Sequence, residues 1–185
     1  MLEKIINIDR QLFVYLNGLG STPFDSLWLF ITKQSNWIPF FLFLIYLVYK
    51  KLGSKNTIQI LITVALLIVI SDQTCNFFKN HFQRLRPCNV ADLKGIIRIV
   101  KQSDTFSFFS GHATNTSAVS MFLYLLLKKH YRYFWLIFLW PLVFAYSRIY
   151  LGLHYPIDIL TGYIFGITYG YLSFKLLAFI KSVSK

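Results

Sequence analysis

From Ile60 to Ile70 every side chain but Thr63 is apolar, and this run is not alone. Residues 37–49, 57–78, 111–127, 133–150 and 156–180 are all strongly apolar, and basic residues follow most of them. A chain of 185 residues that is 56% hydrophobic and 19% aromatic has no interior large enough to hide so many bulky side chains in water. The reading that follows is an all-α, integral-membrane bundle of five to six transmembrane helices, forming one domain over residues 1–185.

The net charge of +12 would suggest nucleic acid in a soluble protein, but no basic nucleic-acid-binding motif is present. In a membrane protein the same excess anchors the chain to anionic lipid and draws in anionic substrates. Cys75 and Cys88 do not have the spacing of a zinc site, and a disulfide between them is not favoured.

Residues 3–20 mix apolar positions (Ile5, Ile6, Ile8, Leu12, Phe13) with polar ones (Lys4, Asp9, Arg10, Asn17) and end at Gly18 and Gly20. This pattern predicts an amphipathic helix lying on the membrane. Residues 24–32 are too short to span unaided, so residues 1–36 remain a segment of undefined role. The run 37–49 predicts a span ending at Lys50 and Lys51. The run 133–150 predicts another, kinked at Pro141. Residues 79–109 form the longest stretch that is not apolar, with 95–100 as a short interfacial segment.

Successive spans alternate in direction. Lys50, Lys51 and Lys55, then Lys128, Lys129 and Arg132, then Lys181 and Lys185 therefore fall on one side, which the positive-inside rule makes cytoplasmic. The loop after Lys79, the segment at Ser110 and the segment 147–158 then share the outer face. That loop is also basic, against the simple rule, and its cations have a purpose if they hold an anion.

The convergent set is Lys79 with Arg86; Ser110, Gly111 and His112; and Arg148 with His154 and Asp158. Two arginines and a lysine suit the oxygens of a phosphoryl group, whose transfer is mostly positioning and charge stabilisation. The N–H groups at the Ser110–Gly111 helix start add an anion site. Pro156 suits the first position of a helix, which puts Asp158 third, able to reach back to His154. Two histidines divide the work, one attacking phosphorus and one protonating the leaving oxygen. The plainer reading of 147–158 is a salt-bridged pair and a capping histidine; it weakens once three polar stretches converge. His81 and His130 read as interfacial and solvated residues. No carboxylate cluster suggests a metal, and no cofactor is expected.

These residues resemble the signature motifs of the type-2 phosphatidic acid phosphatase superfamily, which also contains the vanadium haloperoxidases. Lysine, six residues, arginine–proline matches Lys79 to Arg86 and Pro87. Proline–serine–glycine–histidine matches Ser110, Gly111 and His112, with Phe109 where the proline usually stands. Serine–arginine, five residues, histidine, three residues, aspartate matches Ser147, Arg148, His154 and Asp158. The resemblance implies His154 as a nucleophile forming a phosphohistidine, Asp158 orienting it, and His112 as general acid. It implies Lys79, Arg86, Ser110, Gly111 and Arg148 as holders of the phosphoryl oxygens. Arg84, Lys94, Arg98 and Lys101 are candidates for headgroup contacts.

The resulting expectation is a metal-independent membrane lipid phosphatase in the inner (plasma) membrane, its site facing outside, acting on a phospholipid or polyprenyl phosphate. Undecaprenyl diphosphate ranks first, then lipid A or phosphatidylglycerophosphate. The haloperoxidase branch is soluble, against the hydropathy here. A catalytically silent anionic-lipid binder or a transporter is the alternative of another class, and it predicts broken motifs.

Overall fold

The computed structural model describes residues 2–183, and Lys185 lies outside them. The described residues form helices and loops without strands: α1 (Leu2–Gly18), α2 (Asp25–Thr32), α3 (Ile38–Phe82), α4 (Gly111–Leu127), α5 (Leu139–Tyr150) and α6 (Pro156–Val183). Gln34–Leu93 and Pro156–Ser182 are each long and apolar enough to cross a membrane. Their outward faces carry exposed Leu42, Ile62, Leu66, Ile70, Leu160 and Leu176. A surface of this kind suits lipid rather than water.

The closest packing is between α4 and α6, and it follows from side-chain size. Gly162, Gly166 and Gly170 recur every four residues on one face of α6. A Cβ on Gly166 would collide with Ser117 Oγ and the Thr114 carbonyl, and one on Gly170 with the Ala118 carbonyl. Small residues on both helices let the backbones touch, as membrane helices do when van der Waals contact must replace the hydrophobic effect. The glycine ladder of α6 answers the small residues of α4, Ala113, Thr114, Ser117 and Ala118.

Three expectations change. The break after residue 49 is not a loop: helix continues to a corner at Gly53, whose φ of 76° breaks it in one residue. Leu44 and Val48 before the corner and Thr57, Ile60 and Val64 after it line one cleft, so the two halves run back side by side. Pro141 makes no kink. A 3₁₀ turn (Phe134–Phe138) precedes α5, and Pro141 falls in its first turn, where its missing N–H costs nothing. Residues 95–100 are an irregular loop rather than a segment of regular structure.

Helix α1 packs against α5 and α6, with Phe13 fully buried among Ala145, Ile149, Tyr155 and Ile159. Ile5, Ile6, Ile8 and Leu12 face outward, while Asp9 and Asn17 are 2% and 0% exposed. The Asn17 amide donates to the carbonyls of Arg98, Ile149 and Tyr150 at 3.0–3.1 Å and accepts from the Arg98 N–H at 2.8 Å. It fastens the 98 loop to the end of α5.

The lysine-rich ends do gather at one end of the bundle. Lys181 Nζ donates to Asn56 Oδ1 at 2.6 Å, and Lys51 lies over the Tyr131 ring at 5.7 Å. The polar segments of 79–110 and 147–158 meet at the other end.

Candidate active site

Two chain segments carry the centre of this site. After α5, residues 151–155 turn sharply at Gly152, whose φ is 83°. Here the Arg98 carbonyl passes so close that a Cβ would stand 3.1 Å from it. The Cys88 N–H donates to the Gly152 carbonyl at 3.0 Å, so the first motif is stitched to the third by backbone bonds.

His154 lies at the end of this turn and is 1% exposed. Its Nδ1 faces Asp158 Oδ2 at 3.4 Å, and that same oxygen accepts the Tyr155 N–H at 2.9 Å. Asp158 thus reaches back past the start of α6 as its third-position placement predicts. On the other side Arg86 Nη1 lies 3.0 Å from His154 Nε2. A guanidinium can only donate, so Nε2 must offer its lone pair and the ring proton sits on Nδ1, towards Asp158.

Arg86 is anchored by two bonds to Thr105, through Nε to the carbonyl and Nη2 to the hydroxyl, both 2.8 Å, and by Nη1 to the Leu153 carbonyl at 3.0 Å. Arg148, 5% exposed, is held by Thr32 at the end of α2, and its Nε has no partner. Lys79, in the last turn of α3, completes the cationic group. Burial holds the His154 imidazole well below its ordinary range, and the neighbouring charges of Arg86, Arg148 and Lys79 push it further down. The ring is therefore neutral at physiological pH, as a nucleophile must be.

The start of α4 enters from the side. Ser110 caps it, its hydroxyl accepting the Ala113 N–H at 3.4 Å, and its own N–H donates to the Asp158 carbonyl at 3.0 Å. His112 stacks on Phe144 at 5.4 Å and lies within electrostatic reach of Arg148, His154, Lys79 and Arg86. Phe109, in the place of the usual proline, is fully buried and stacks on Phe165 at 4.7 Å. The aromatic side chain is absorbed by packing on α6, and the capping geometry of Ser110 stands beside it.

Beyond His112 opens a cleft of about 370 Å³ between both halves of α3, α4 and α5. Its walls are Leu44, Val48, Ile60, Val64, Val119 and Trp140; at the His112 end they include Gln34, Asp72 and Asn115. Asn115 Nδ2 donates to Asp72 Oδ1 at 2.8 Å, and Asn115 Oδ1 has no partner.

The other candidates separate. Arg84 turns from the cationic group to Asp158 Oδ1 at 2.7 Å and Asp9 Oδ2 at 2.6 Å. Arg98 is gripped by Asp25, at 2.8 and 3.0 Å. Lys94 and Lys101 are exposed on the loop. His81 is exposed and stacks on Phe77, and His130 lies at the opposite end of the bundle. Cys75 and Cys88 are buried and free. Asp9, Asn17, Thr32 and Thr105 were not singled out in the sequence, where none of them belongs to a motif.

The family model of the PAP2 superfamily matches residues 56–181. The lipid A 4'-phosphatase of Bacteroides thetaiotaomicron is 34% identical over 171 residues, covering 90% of this chain and 75% of the relative. That of Porphyromonas gingivalis is 31% identical, covering 98% and 78%. The undecaprenyl-diphosphatase of Sulfolobus acidocaldarius is 27% identical, covering 94% and 81%. Among solved structures, a transmembrane PAP2-type phosphatidylglycerolphosphate phosphatase from Bacillus subtilis superposes with a TM-score of 0.73 at 18% identity, over 96% of this chain and 88% of that one. With its motifs, its helical fold and these relatives in agreement, the chain belongs to the PAP2 superfamily and is a membrane lipid phosphatase.

Proposed function

We propose that this phosphatase removes a phosphate monoester from a lipid whose leaving oxygen belongs to a hydroxyl-bearing sugar, with the 4'-phosphate of lipid A as its substrate. The observation that carries this is the junction at His112: a cationic cradle on one side and an apolar cleft with a polar collar on the other. The cradle takes the phosphoryl group and the cleft takes hydrocarbon. Asp72 and the unpaired Asn115 Oδ1 accept hydrogen bonds from sugar hydroxyls. A carboxylate at that place repels a leaving group that itself carries phosphate, as undecaprenyl diphosphate would yield. The two relatives above 30% identity act, by name, on lipid A, which supports lipid A over the undecaprenyl diphosphate that the sequence reading ranked first.

The chemistry runs in two steps. His154 Nε2 gives its lone pair to phosphorus as the P–O bond to the sugar breaks, and His112 gives its proton to the departing oxygen. Arg86, which holds Nε2 in the resting site, moves its donation to a phosphoryl oxygen and frees the lone pair. Lys79, Arg148, Ser110 and the N–H groups at the start of α4 carry the remaining charge. Asp158 stabilises the ring as it becomes positive. Water, deprotonated by His112, then attacks phosphorus, and the N–P bond breaks to release phosphate. The lysine-rich end opposite the site supports a periplasmic active site in the inner membrane.

Phosphate release from lipid A, undecaprenyl diphosphate and phosphatidylglycerophosphate, measured in chelator for wild type and His154→Ala, tests this. Lipid A is expected to turn over fastest, with release lost in the variant. Preference for the diphosphate would overturn the substrate, and release surviving His154→Ala would overturn the nucleophile.

A further inference from the structure

The buried carboxylate of Asp9 is used by nothing in the steps above, yet it is tied to them. Arg84 lies between two carboxylates with one prong on each, Nη1 to Asp158 Oδ1 at 2.7 Å and Nη2 to Asp9 Oδ2 at 2.6 Å. Its guanidinium also lies 4.0 Å over the Tyr155 ring. The other Asp9 oxygen accepts the Ile157 N–H at 2.9 Å. Asp9 is 2% exposed and Asp158 0%, so water does little to screen either. From α1, Asp9 therefore reaches the first turn of α6 and, through Arg84, the carboxylate that faces His154.

Charge arithmetic gives the arrangement a purpose. Asp158 alone with Arg84 would be a neutral pair, and a neutral pair does little for a ring that must turn positive on attacking phosphorus. With Asp9 sharing the guanidinium, the trio carries one net negative charge beside His154. A fork that binds two carboxylates at once also fixes the plane of Asp158, and with it the direction of Nδ1–H.

We propose that Asp9 and Arg84 are positioning residues for phosphoryl transfer, setting the orientation and net charge of Asp158 so that His154 attacks with its Nδ1–H held and its developing positive charge balanced. This rests on His154 as nucleophile. Neither residue touches the phosphate, so binding is left alone and the chemical step is not.

The test uses the full-length enzyme, with turnover and rapid-quench trapping of the alkali-stable phosphoenzyme. Asp9→Asn removes one charge with little change of shape. Its kcat is expected to fall on the order of tenfold, as for loss of a group that orients a catalytic histidine's partner. KM and inhibition by inorganic phosphate stay within about twofold, and the phosphoenzyme forms more slowly. Asp9→Glu recovers most of the rate. Adding Arg84→Gln to Asp9→Asn restores one net negative charge, so the double variant is expected to be faster than Asp9→Asn alone; a merely structural role makes it slower. If Asp9→Asn does not accumulate, Arg84→Lys carries the same test, because one ammonium cannot hold both carboxylates in that plane: kcat falls and KM does not. A change confined to KM, an unchanged rate of phosphoenzyme formation, or a double variant slower than the single overturns the positioning role while His154 keeps its own. Absence of any phosphoenzyme in the wild type, or activity in His154→Ala, overturns both.

Discussion

The backbone N–H of Ser110 donates to the carbonyl of Asp158 at 3.0 Å. Through this bond the helix start that offers N–H groups to phosphate is fixed to the residue that faces the histidine. It holds only while α4 and α6 stay in close contact, and the contact depends on glycine. Gly166→Val forces Ser117 and the Thr114 backbone away, an overpacking cost of roughly 1–3 kcal/mol or more. The expected result is a lower midpoint of thermal unfolding and loss of activity; Leu160→Val, on the exposed face of the same helix, changes neither.

Asn17 predicts a different failure. Replacing it by Ala strands the carbonyls of Arg98 and Tyr150 and the Arg98 N–H, while the Ile149 carbonyl keeps the Gly152 N–H. Each buried group left unpaired costs about 1–3 kcal/mol. The Asn17→Ala enzyme is expected to unfold several degrees earlier, and limited proteolysis should first cut near Arg98, where the loop is released.

The low-lying imidazole of His154 makes stability depend on pH in a definite sense. In the folded protein the ring stays neutral well below its ordinary value of 6.5, while the unfolded chain takes up a proton there. This share of stability is complete above about pH 6.5 and is lost progressively as pH falls below it. Thermal midpoints at pH 8 and pH 5.5 should therefore differ more for wild type than for His154→Gln, whose side chain does not titrate.

Asp72 bears on choice of substrate. Asp72→Asn keeps the bond to Asn115 within reach but removes the charge at the collar. Turnover of a diphosphate lipid is expected to rise relative to lipid A by on the order of three- to tenfold. An unchanged ratio would place the leaving group elsewhere.

The third motif could be read from the sequence because its parts are adjacent: Pro156 starts a helix, and the spacing from His154 to Asp158 is one helical turn. The lysine-rich ends could be read because alternation of spans is a counting argument. Arg84 was visible as a cation but not as a link between carboxylates, since its partner Asp9 lies seventy-five residues away and belongs to a helix whose pattern reads as surface-bound. The pattern shows which positions share a stripe; it does not show which of them pack on neighbouring helices and which are left exposed. Gly53 escaped because one residue of positive φ replaces the polar loop that normally marks a reversal.

Helix α1 has a practical consequence. Ile5, Ile6, Ile8 and Leu12 are exposed for lipid to cover, and Asp9 on the same helix is part of the support beneath Asp158. A short-chain detergent that competes for those side chains loosens the very element that carries Asp9. Turnover measured in nanodiscs is therefore expected to exceed turnover in harsh micelles, and equal rates would separate α1 from the support of Asp158.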